Sequence, residues 1–231
     1  MQALHAIALQ PIAETTADPR SFGFRLHRST QDVRQYRFCC LGGKHSAKWV
    51  LEGDIKGCFD NINHDWLLDN IPMDKSTLKQ FLKAGFVYNR HLNPITAGTP
   101  QGGIISPILA NMTLDGMEKS ISSVYHVGKN GKIDKSRHNP DKVNFVRYAD
   151  DFIVTANSEE IAKDLAELIK EFLKECGLEL SEEKTHITQI DDGFDFLGWN
   201  FRKYAGKLLI KPSRKSIENL IRKLSRYRKI K

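Results

Sequence analysis

Residues 145–158 read FVRYADDFIVTANS, and this stretch predicts the centre of the fold. Residues 145–148 and 152–155 are apolar runs rich in β-branched and aromatic side chains, so each run predicts a strand. The short joint between them predicts a tight turn, with Asp150 and Asp151 side by side at the tip of a hairpin. Asp is a common turn residue because its side chain bonds nearby backbone amides, whereas paired carboxylates also suit a divalent metal ion. The hairpin alone favours the simple turn, so the rest of the chain has to decide between the two.

The overall composition is that of a globular protein with a localised basic segment. The 231 residues are enough for one domain or two small ones, and the net charge is +7. Residues 214–231 hold eight Lys or Arg and one Glu, so residues 1–213 are neutral, with 27 charges of each sign. Such a tail predicts a local contact with a polyanion, although a charge run alone is more often a solvated helix face.

Four cysteines give information about the cellular compartment. They form no C-x-x-C pair and no regular framework, which favours a reducing, cytoplasmic setting. Cys39, Cys40 and His45 match no common zinc spacing, so core packing is the better interpretation. No apolar run approaches a membrane span, and the N-terminus lacks the form of a signal peptide, so no membrane contact is expected.

The remaining segments predict helices and short strands around the hairpin. A short helix near the N-terminus is expected to end near Pro11. Ser106 followed by Pro107 predicts a helix that begins there and runs to about Ser120, and Asn157 is the expected N-cap of the next helix. Helices are also predicted over 64–71 and 75–86, and strands over 178–180, 185–190, 194–201 and 207–210. This order indicates an α+β fold, with helices packed on one face of an antiparallel sheet.

A third carboxylate would turn the hairpin into a plausible metal site. Two-metal phosphoryl transfer needs carboxylates that bridge ions roughly 3.5–4 Å apart. Adjacent Asp side chains on an extended chain point apart, so Asp150 and Asp151 need a partner from a neighbouring strand. In LEGDIKGCFDNINHDWLL (residues 51–68), Asp54 ends an apolar strand. If that strand pairs with the hairpin, Asp54 is expected to face Asp150.

Five blocks in order resemble the conserved blocks of reverse transcriptases. They are DIKGCFDNI, GTPQGGIISPILANMTLDGMEK, FVRYADDFIVTANS, LELSEEKTHI and FDFLGWNF. The QGGIISP form, together with SFGFRLHRSTQDV and IKPSRKSI, is most similar to group II intron-encoded reverse transcriptases. The resemblance covers nearly the whole chain. It implies a right-hand polymerase palm with partial fingers (1–50), palm (51–211) and the start of a thumb helix (212–231).

The resemblance also implies a catalytic centre. Asp54 and Asp150 would bind two Mg²⁺ ions, or Mn²⁺ in their place, with Asp151 alongside. The carbonyl of Ile55 would complete one metal shell. Lys184, in SEEKT, would protonate the leaving pyrophosphate. Without the resemblance, Lys184 could equally be one partner of a surface ion pair that contributes little to stability.

Further residues are implied in substrate binding. Gly57 and Cys58 would offer backbone amides to the incoming triphosphate, and Phe59 would exclude a 2′-hydroxyl. Gln101 and Gly102 would line the nucleotide pocket and template side. The primer grip would be the turn formed by Phe196, Leu197, Gly198 and Trp199. Without the blocks, core packing would be the better interpretation of Phe59 and Phe196.

The resemblance therefore predicts RNA-directed DNA synthesis, with RNA template, DNA primer and deoxynucleotide triphosphates as partners, and the cysteines predict a cytoplasmic location. Relative to the family pattern, the upstream fingers strands and most of the thumb are missing, so this length of chain is expected to be a truncated and weakly active or inactive form. A maturase-type protein that binds group II intron RNA without polymerisation is the alternative, and an inert remnant is another. Retron and CRISPR-associated relatives fit the TPQGGIISP form less well.

Overall fold

The structure is a computed structural model that describes residues 1–88, 91–93, 97–100, 102–128, 130–134 and 139–228. Its helices are α1 (Gln2–Thr16), α2 (Thr30–Leu41), α3 (Cys58–Asn61), α4 (His64–Asn70), α5 (Lys75–Lys83), α6 (Ser106–Leu114), α7 (Met117–Tyr125), α8 (Glu159–Glu175) and α9 (Arg214–Arg228). Its strands are β1 (Trp49–Asp54), β2 (Phe86–Tyr88), β3 (His91–Asn93), β4 (Asn144–Tyr148), β5 (Asp151–Ala156), β6 (His186–Gln189), β7 (Phe194–Phe196), β8 (Trp199–Tyr204) and β9 (Lys207–Pro212). Within these residues no helix is both long enough and apolar enough to cross a membrane.

The central sheet is antiparallel, with strand order β4-β5-β1-β6. β4 and β5 form the predicted hairpin, and β1 pairs along the whole length of β5. Because side chains alternate along a strand, the register divides the sheet residues between two faces. Leu51, Phe152 and Val154 share one face, which we call the helix face, whereas Val50 and Ile153 lie on the opposite face.

The helix face carries the larger hydrophobic core. α8 packs across β1, β5 and β6, and α7 packs against α8. The apolar side of α8 recurs at helical spacing, and its buried members Leu165, Ile169 and Leu173 join the core residues of the sheet. This half of the molecule has the helices on one face of an antiparallel sheet, as predicted from the sequence.

The opposite face is covered by different elements. α2 packs there, and so does a second antiparallel sheet of order β7-β8-β9. Val33 and Leu41 of α2, Val50 of β1 and Phe194 and Phe201 of the second sheet form a separate core. The α+β palm fold is confirmed, and the second sheet gives it a covering layer that the sequence analysis did not specify.

Several element boundaries differ from the predictions. The helix expected over 107–120 is two helices, because the chain turns at Asp115 and Gly116, where φ is +103°. The N-terminal helix does not end at Pro11 but continues to Thr16. The N-cap of α8 is Ser158 rather than Asn157, and its hydroxyl accepts a hydrogen bond from the backbone N–H of Ile161.

Candidate active site

The carboxylate-bearing turn lies at one end of the central sheet. Tyr148 pairs with Asp151, so Ala149 and Asp150 form a two-residue turn, and Ala149 has φ of +57°. Asp54 is the last residue of β1, and its cross-strand Cα partner is Asp151. The sequence predicted that Asp54 would face Asp150; the register places it opposite Asp151 because Asp150 belongs to the turn. Paired residues point to the same side of a sheet, so Asp54 and Asp151 share the face opposite to the helices.

The electrostatics show that these carboxylates interact. Burial, and then the charges of Asp150 and Asp54, raise the pKa of Asp151 to about 6. The ammonium of Lys184 lies 3.2 and 3.1 Å from the two carboxylate oxygens of Asp54. That hydrogen bond raises the pKa of Lys184, so the side chain keeps its proton at neutral pH. One cation therefore already balances part of a cluster of three negative charges.

The donor chemistry of this cluster fits a divalent cation. Carboxylate oxygens are the ligands that Mg²⁺ prefers, and a cation would relieve both the burial and the repulsion by Asp150 and Asp54 that raise the pKa of Asp151. The carbonyl oxygen of Ile55 accepts no hydrogen bond from another described residue. In the described part of the chain, no three His, Cys, Asp or Glu side chains stand ready around one metal position. The Asp54 oxygens face Lys184, whose side chain is 66% exposed and free to move away.

The segment after β1 places the predicted nucleotide-binding residues in a tight bend. Gly57 has φ of +53°, a conformation that favours glycine, and it precedes the short helix α3. Cys58 is buried, and burial raises the pKa of its thiol to about 12, so the thiol stays protonated at neutral pH. The predicted role of Cys58 is accordingly one of its backbone N–H. The Phe59 ring is half-buried and meets the exposed Phe24 ring edge-to-face, with the centroids 5.9 Å apart.

The loop before α6 is described in part. Gln101 lies outside the described residues. Gly102 is exposed with φ of +87°, and a side chain there would meet nothing within 4 Å. Next to it, the carbonyl of Pro100 accepts hydrogen bonds from the Gly103 N–H and the Ser106 hydroxyl. Gly102 therefore borders open space, next to the turn that these two hydrogen bonds close.

The predicted primer grip is a real hairpin turn. Phe196 pairs with Trp199, and the two residues between them, Leu197 and Gly198, both have positive φ, as tight hairpins require. The carbonyl of Gly198 accepts hydrogen bonds from Ser213 and Ser216 at the start of α9, at 2.9 and 3.0 Å. This turn belongs to the second sheet, so it lies on the same side of the central sheet as Asp54 and Asp151.

A buried arginine supports the carboxylate turn, and the sequence analysis missed it. Arg147 is 0% exposed and donates to the Ala149 carbonyl at 3.1 Å, to Asn111 at 3.0 Å and to Asp115 at 2.9 Å. Its position in β4 falls on the helix face, where neighbours are apolar. A charged residue at a core position of an alternating strand was the signal that could have identified it.

The segment 18–25 closes the turn from the other side. Ser21 forms a parallel bridge to Arg147, and the Phe22 N–H donates to the Arg147 carbonyl at 2.9 Å. Gly23 lies so close to the turn that a Cβ there would overlap the backbone nitrogen of Ala149. The carbonyl of Gly23 accepts a hydrogen bond from Asn111 at 2.8 Å. Three stretches distant in sequence therefore fix one two-residue turn.

Comparisons of the chain with known proteins indicate its family. Residues 1–201 match the family model described as reverse transcriptase (RNA-dependent DNA polymerase). The chain is 30% identical over 283 residues to the group II intron-encoded protein LtrA of Lactococcus lactis, covering 93% of this chain and 46% of LtrA. It is 25% identical to maturase-like protein 1 of Euglena gracilis, covering 87% of this chain and 39% of that protein.

A solved structure shares the fold. Telomerase from Candida albicans, solved with a fragment of telomeric RNA, superposes with a TM-score of 0.57 at 17% identity, covering 92% of this chain and 37% of telomerase. This chain spans less than half the length of each of these three proteins. The matches are thus to a reverse transcriptase family model, a group II intron-encoded protein and a maturase-like protein, and the telomerase match shows the fold alone.

Proposed function

This chain belongs to the reverse transcriptase family, and from that premise we propose that it is the RNA-directed DNA polymerase region of a group II intron-encoded protein. The observation that carries the proposal is the pairing of Asp54 with Asp151 on adjacent strands, with Asp150 in the turn beside them. Copying RNA into DNA requires a primer hydroxyl to attack a triphosphate, and a carboxylate cluster at a sheet end suits that chemistry.

Asp54 and Asp150, with Asp151 alongside, would hold two Mg²⁺ ions, and the Ile55 carbonyl would complete one shell. Reverse transcriptases generally use divalent metal ions, and Mg²⁺ bound here would neutralise the charge that develops on the phosphate oxygens. Lys184 keeps a proton on its Nζ beside these carboxylates, so it is suited to protonate the departing pyrophosphate.

The neighbouring residues would bind and select the nucleotide. Gly57 and Cys58 would present backbone N–H groups to the triphosphate, and the half-buried Phe59 ring would leave no room for a 2′-hydroxyl. Gln101 and Gly102 would line the template side of the nucleotide. Phe196 to Trp199 would hold the primer end, supported by the fixed turn at Leu197 and Gly198.

The wider assignments follow from the same proposal. The partners would be an RNA template, a DNA primer, deoxynucleotide triphosphates and group II intron RNA. We assign residues 1–50 to the fingers, 51–211 to the palm and 212–231 to the start of the thumb. The four cysteines are all free, which supports a reducing, cytoplasmic location.

Maturase activity is the second candidate. It requires binding and folding of intron RNA rather than nucleotidyl transfer, and the similarity to maturase-like protein 1 favours it. The basic helix α9 offers a surface for such binding. Only polymerisation needs the carboxylates, so we expect substitution of Asp150 to abolish polymerisation and to leave RNA binding intact.

The test is primer extension on an RNA template with Mg²⁺, comparing the wild type with Asp150→Asn. We expect a loss of at least roughly 100-fold in the rate. The matched control is Asp164→Asn on α8, which should retain the wild-type rate. As a readout independent of activity, Mg²⁺ at about 100 times its Kd should stabilise the wild type by about 2.7 kcal/mol and Asp150→Asn far less. A measurable rate that is equal in the wild type and in Asp150→Asn would refute the polymerase assignment.

A further inference from the structure

A basic groove lies at the end of the central sheet opposite to the carboxylates. β1 begins at this end with Trp49, which pairs with Ala156, and finishes at Asp54. At about 3.3 Å per residue, the two ends of the strand are roughly 17 Å apart. Two adjoining cavities of about 700 and 530 Å³ open at the far end and make up the groove. The lining residues that the two cavities share are Lys44, His45, Ser46 and Lys142.

Positive charge is concentrated in this basic groove. Its cationic lining residues are Arg20, Lys44, Lys48, Lys142 and Lys203. The carboxylates among the lining residues are Glu118 and Asp191, so five cations against two anions leave +3 with the histidines neutral. Because residues 1–213 carry equal numbers of positive and negative side chains, this excess is a local feature and not a reflection of the whole chain.

Three of the groove cations, Lys44, Lys48 and Lys142, have no ion-pair partner among the described residues. Lys44 and Lys48 are exposed. The Lys203 ammonium is buried against the Gly43 carbonyl and the Ser46 hydroxyl, both of them neutral partners. The groove therefore presents a positive potential to whatever enters it.

The uncharged lining suits a phosphodiester backbone. Asn144, Asn157, Gln189, Ser46 and Ser122 place amides and hydroxyls between the cations. Such groups, together with Lys and Arg, make most protein contacts to phosphate and sugar oxygens. A positively charged groove lined by such groups can bind a nucleic-acid backbone without reading its sequence.

We propose that this basic groove binds the phosphate backbone of RNA, as a second contact remote from the carboxylates. The choice of RNA over another polyanion rests on the proposed function, which places RNA at the other end of the sheet. One RNA molecule could then lie with one segment at the carboxylates and another in the groove. The groove contact holds RNA independently of nucleotidyl transfer.

The test is the salt dependence of RNA binding by Lys44→Glu/Lys48→Glu/Lys142→Glu in the full chain. The probe is a short fluorescent oligouridylate, followed by anisotropy over a range of salt concentrations. Losing three phosphate contacts on a single strand should make the slope of log K against log salt shallower by about 2. The affinity should fall by at least about tenfold at physiological salt. Lys44→Glu/Lys48→Glu alone should give a proportionally smaller change, and it replaces the triple variant if that variant fails to fold.

The matched control is Lys163→Glu/Lys170→Glu/Lys174→Glu, which makes the same charge change on the exposed side of α8. An equal loss of affinity in the control would show a general effect of net charge and overturn the proposal. Unchanged RNA affinity in the groove variants would also overturn it, since the groove would then serve another anion, such as an acidic protein surface.

Two further measurements separate this proposal from the proposed function. Asp150→Asn should bind the oligouridylate with the wild-type salt slope, because the groove is remote from the turn. The groove variants should extend a short, saturating primer–template at a rate within about twofold of the wild type. If Asp150→Asn is stabilised by Mg²⁺ as much as the wild type while the salt slopes of the groove variants differ as expected, the groove proposal stands and the polymerase assignment falls.

Discussion

Arg147 illustrates how one buried side chain can position the carboxylate-bearing turn from inside the core. Its guanidinium bonds the carbonyl of Ala149, the residue immediately before Asp150, and it is anchored in turn by Asn111 and Asp115. A guanidinium has a rigid fork of donors that a lysine ammonium cannot reproduce. Arg147 is thus a positioning residue for the carboxylates.

We expect Arg147→Lys to lower kcat for primer extension by roughly 10- to 100-fold, because a turn displaced by a fraction of an ångström misplaces both carboxylates. The Mg²⁺ concentration needed for half-maximal rate should rise, whereas the KM for the nucleotide should change little. Arg214→Lys, on the exposed surface of α9, serves as the control. A variant that is merely less stable, with unchanged Mg²⁺ dependence at a temperature where it is folded, would contradict the positioning role.

Phe59 gives the second prediction at this scale. Phe59→Ala should raise the ratio of kcat/KM for ribonucleotides over deoxynucleotides by at least about tenfold, because the ring no longer fills the space of a 2′-hydroxyl. Phe38→Ala, which truncates an exposed ring on α2, should leave the ratio unchanged. An unaltered ratio in Phe59→Ala would mean that the ring only packs against Phe24.

The sequence identified the candidate site residues, but not the buried residues that hold them in place. Asp54, Asp150 and Asp151 could be proposed because few residue types can bind the metal ions that phosphoryl transfer requires. Lys184 was proposed from its block, and the structure places it against Asp54. The network of Arg147 with Asn111 and Asp115 depends on contacts between residues 32 and 36 positions apart, which no local pattern contains.

At the scale of elements, segment 18–25 and the β4–β5 turn are in such close contact that only glycine fits at position 23. Gly23→Ala should destabilise the protein by about 1–3 kcal/mol, because the added methyl overlaps backbone atoms that cannot rotate away. It should also lower the rate of primer extension, since the turn must shift. Thermal unfolding and extension rates measure both effects.

Gly43→Ala is the matched control, because a Cβ at Gly43 meets nothing within 4 Å and its φ is not positive. We expect it to be neutral or slightly stabilising, through the smaller entropy of the unfolded chain. If Gly23→Ala and Gly43→Ala behave alike, the close approach of the two segments is not significant for stability.

Periodicity predicted where elements are but not where they break. The hairpin strands and α8 were identified because alternation and helical spacing are strong in residues 145–175. The break between α6 and α7 was missed because a helix tolerates a glycine such as Gly116. The turn is stabilised by hydrogen bonds that the backbone N–H groups of Gly116 and Glu118 donate to the Asp18 carboxylate. Tertiary packing likewise carries α1 past Pro11, with Ala6 and Leu9 buried in the core.

At the scale of the whole molecule, Arg37 joins α2 to the second sheet. Its guanidinium is buried with no hydrogen-bond partner among the described residues, and it lies 3.9 Å from the centre of the Phe196 ring. Burial lowers the pKa of Arg37 to about 9, and the charge of Glu52 on β1 opposes that shift. Glu52, accepting from Thr188 at 3.2 Å, is the anion that this cation faces.

We expect Arg37→Ala to destabilise the protein by about 3–5 kcal/mol, because it leaves a cavity among the Phe194, Phe196 and Phe201 rings. The double variant Arg37→Met/Glu52→Gln should be near neutral or more stable than the wild type, because it removes the buried charge of Arg37 and the half-buried charge of Glu52 and keeps the volume. Denaturant unfolding measures both. A double variant as unstable as Arg37→Ala would contradict the cavity as the cause, since the double variant keeps the volume.

The overall arrangement could be predicted only through resemblance. The hydrophobic pattern predicted the α+β class, and the ordered sequence blocks predicted the palm. Neither could give the sheet order β4-β5-β1-β6, in which the first strand of the chain lies between two later ones, because that order depends on pairings between residues about 100 or more positions apart. Local patterns predicted strands over 194–201 and 207–210, but not that these strands form a second sheet over the opposite face.

The alternation of faces along β5 has a consequence for how genes of this kind can change. Asp151 points away from the helices only because Tyr148 and Asp151 close a two-residue turn, and the next residue, Phe152, points into the core. A single-codon insertion or deletion that shifts the register of β5 by one residue would exchange those directions, placing a carboxylate among the core residues and a phenyl ring where the carboxylate stood. We therefore expect inherited length changes to be excluded from this hairpin wherever they would shift that register.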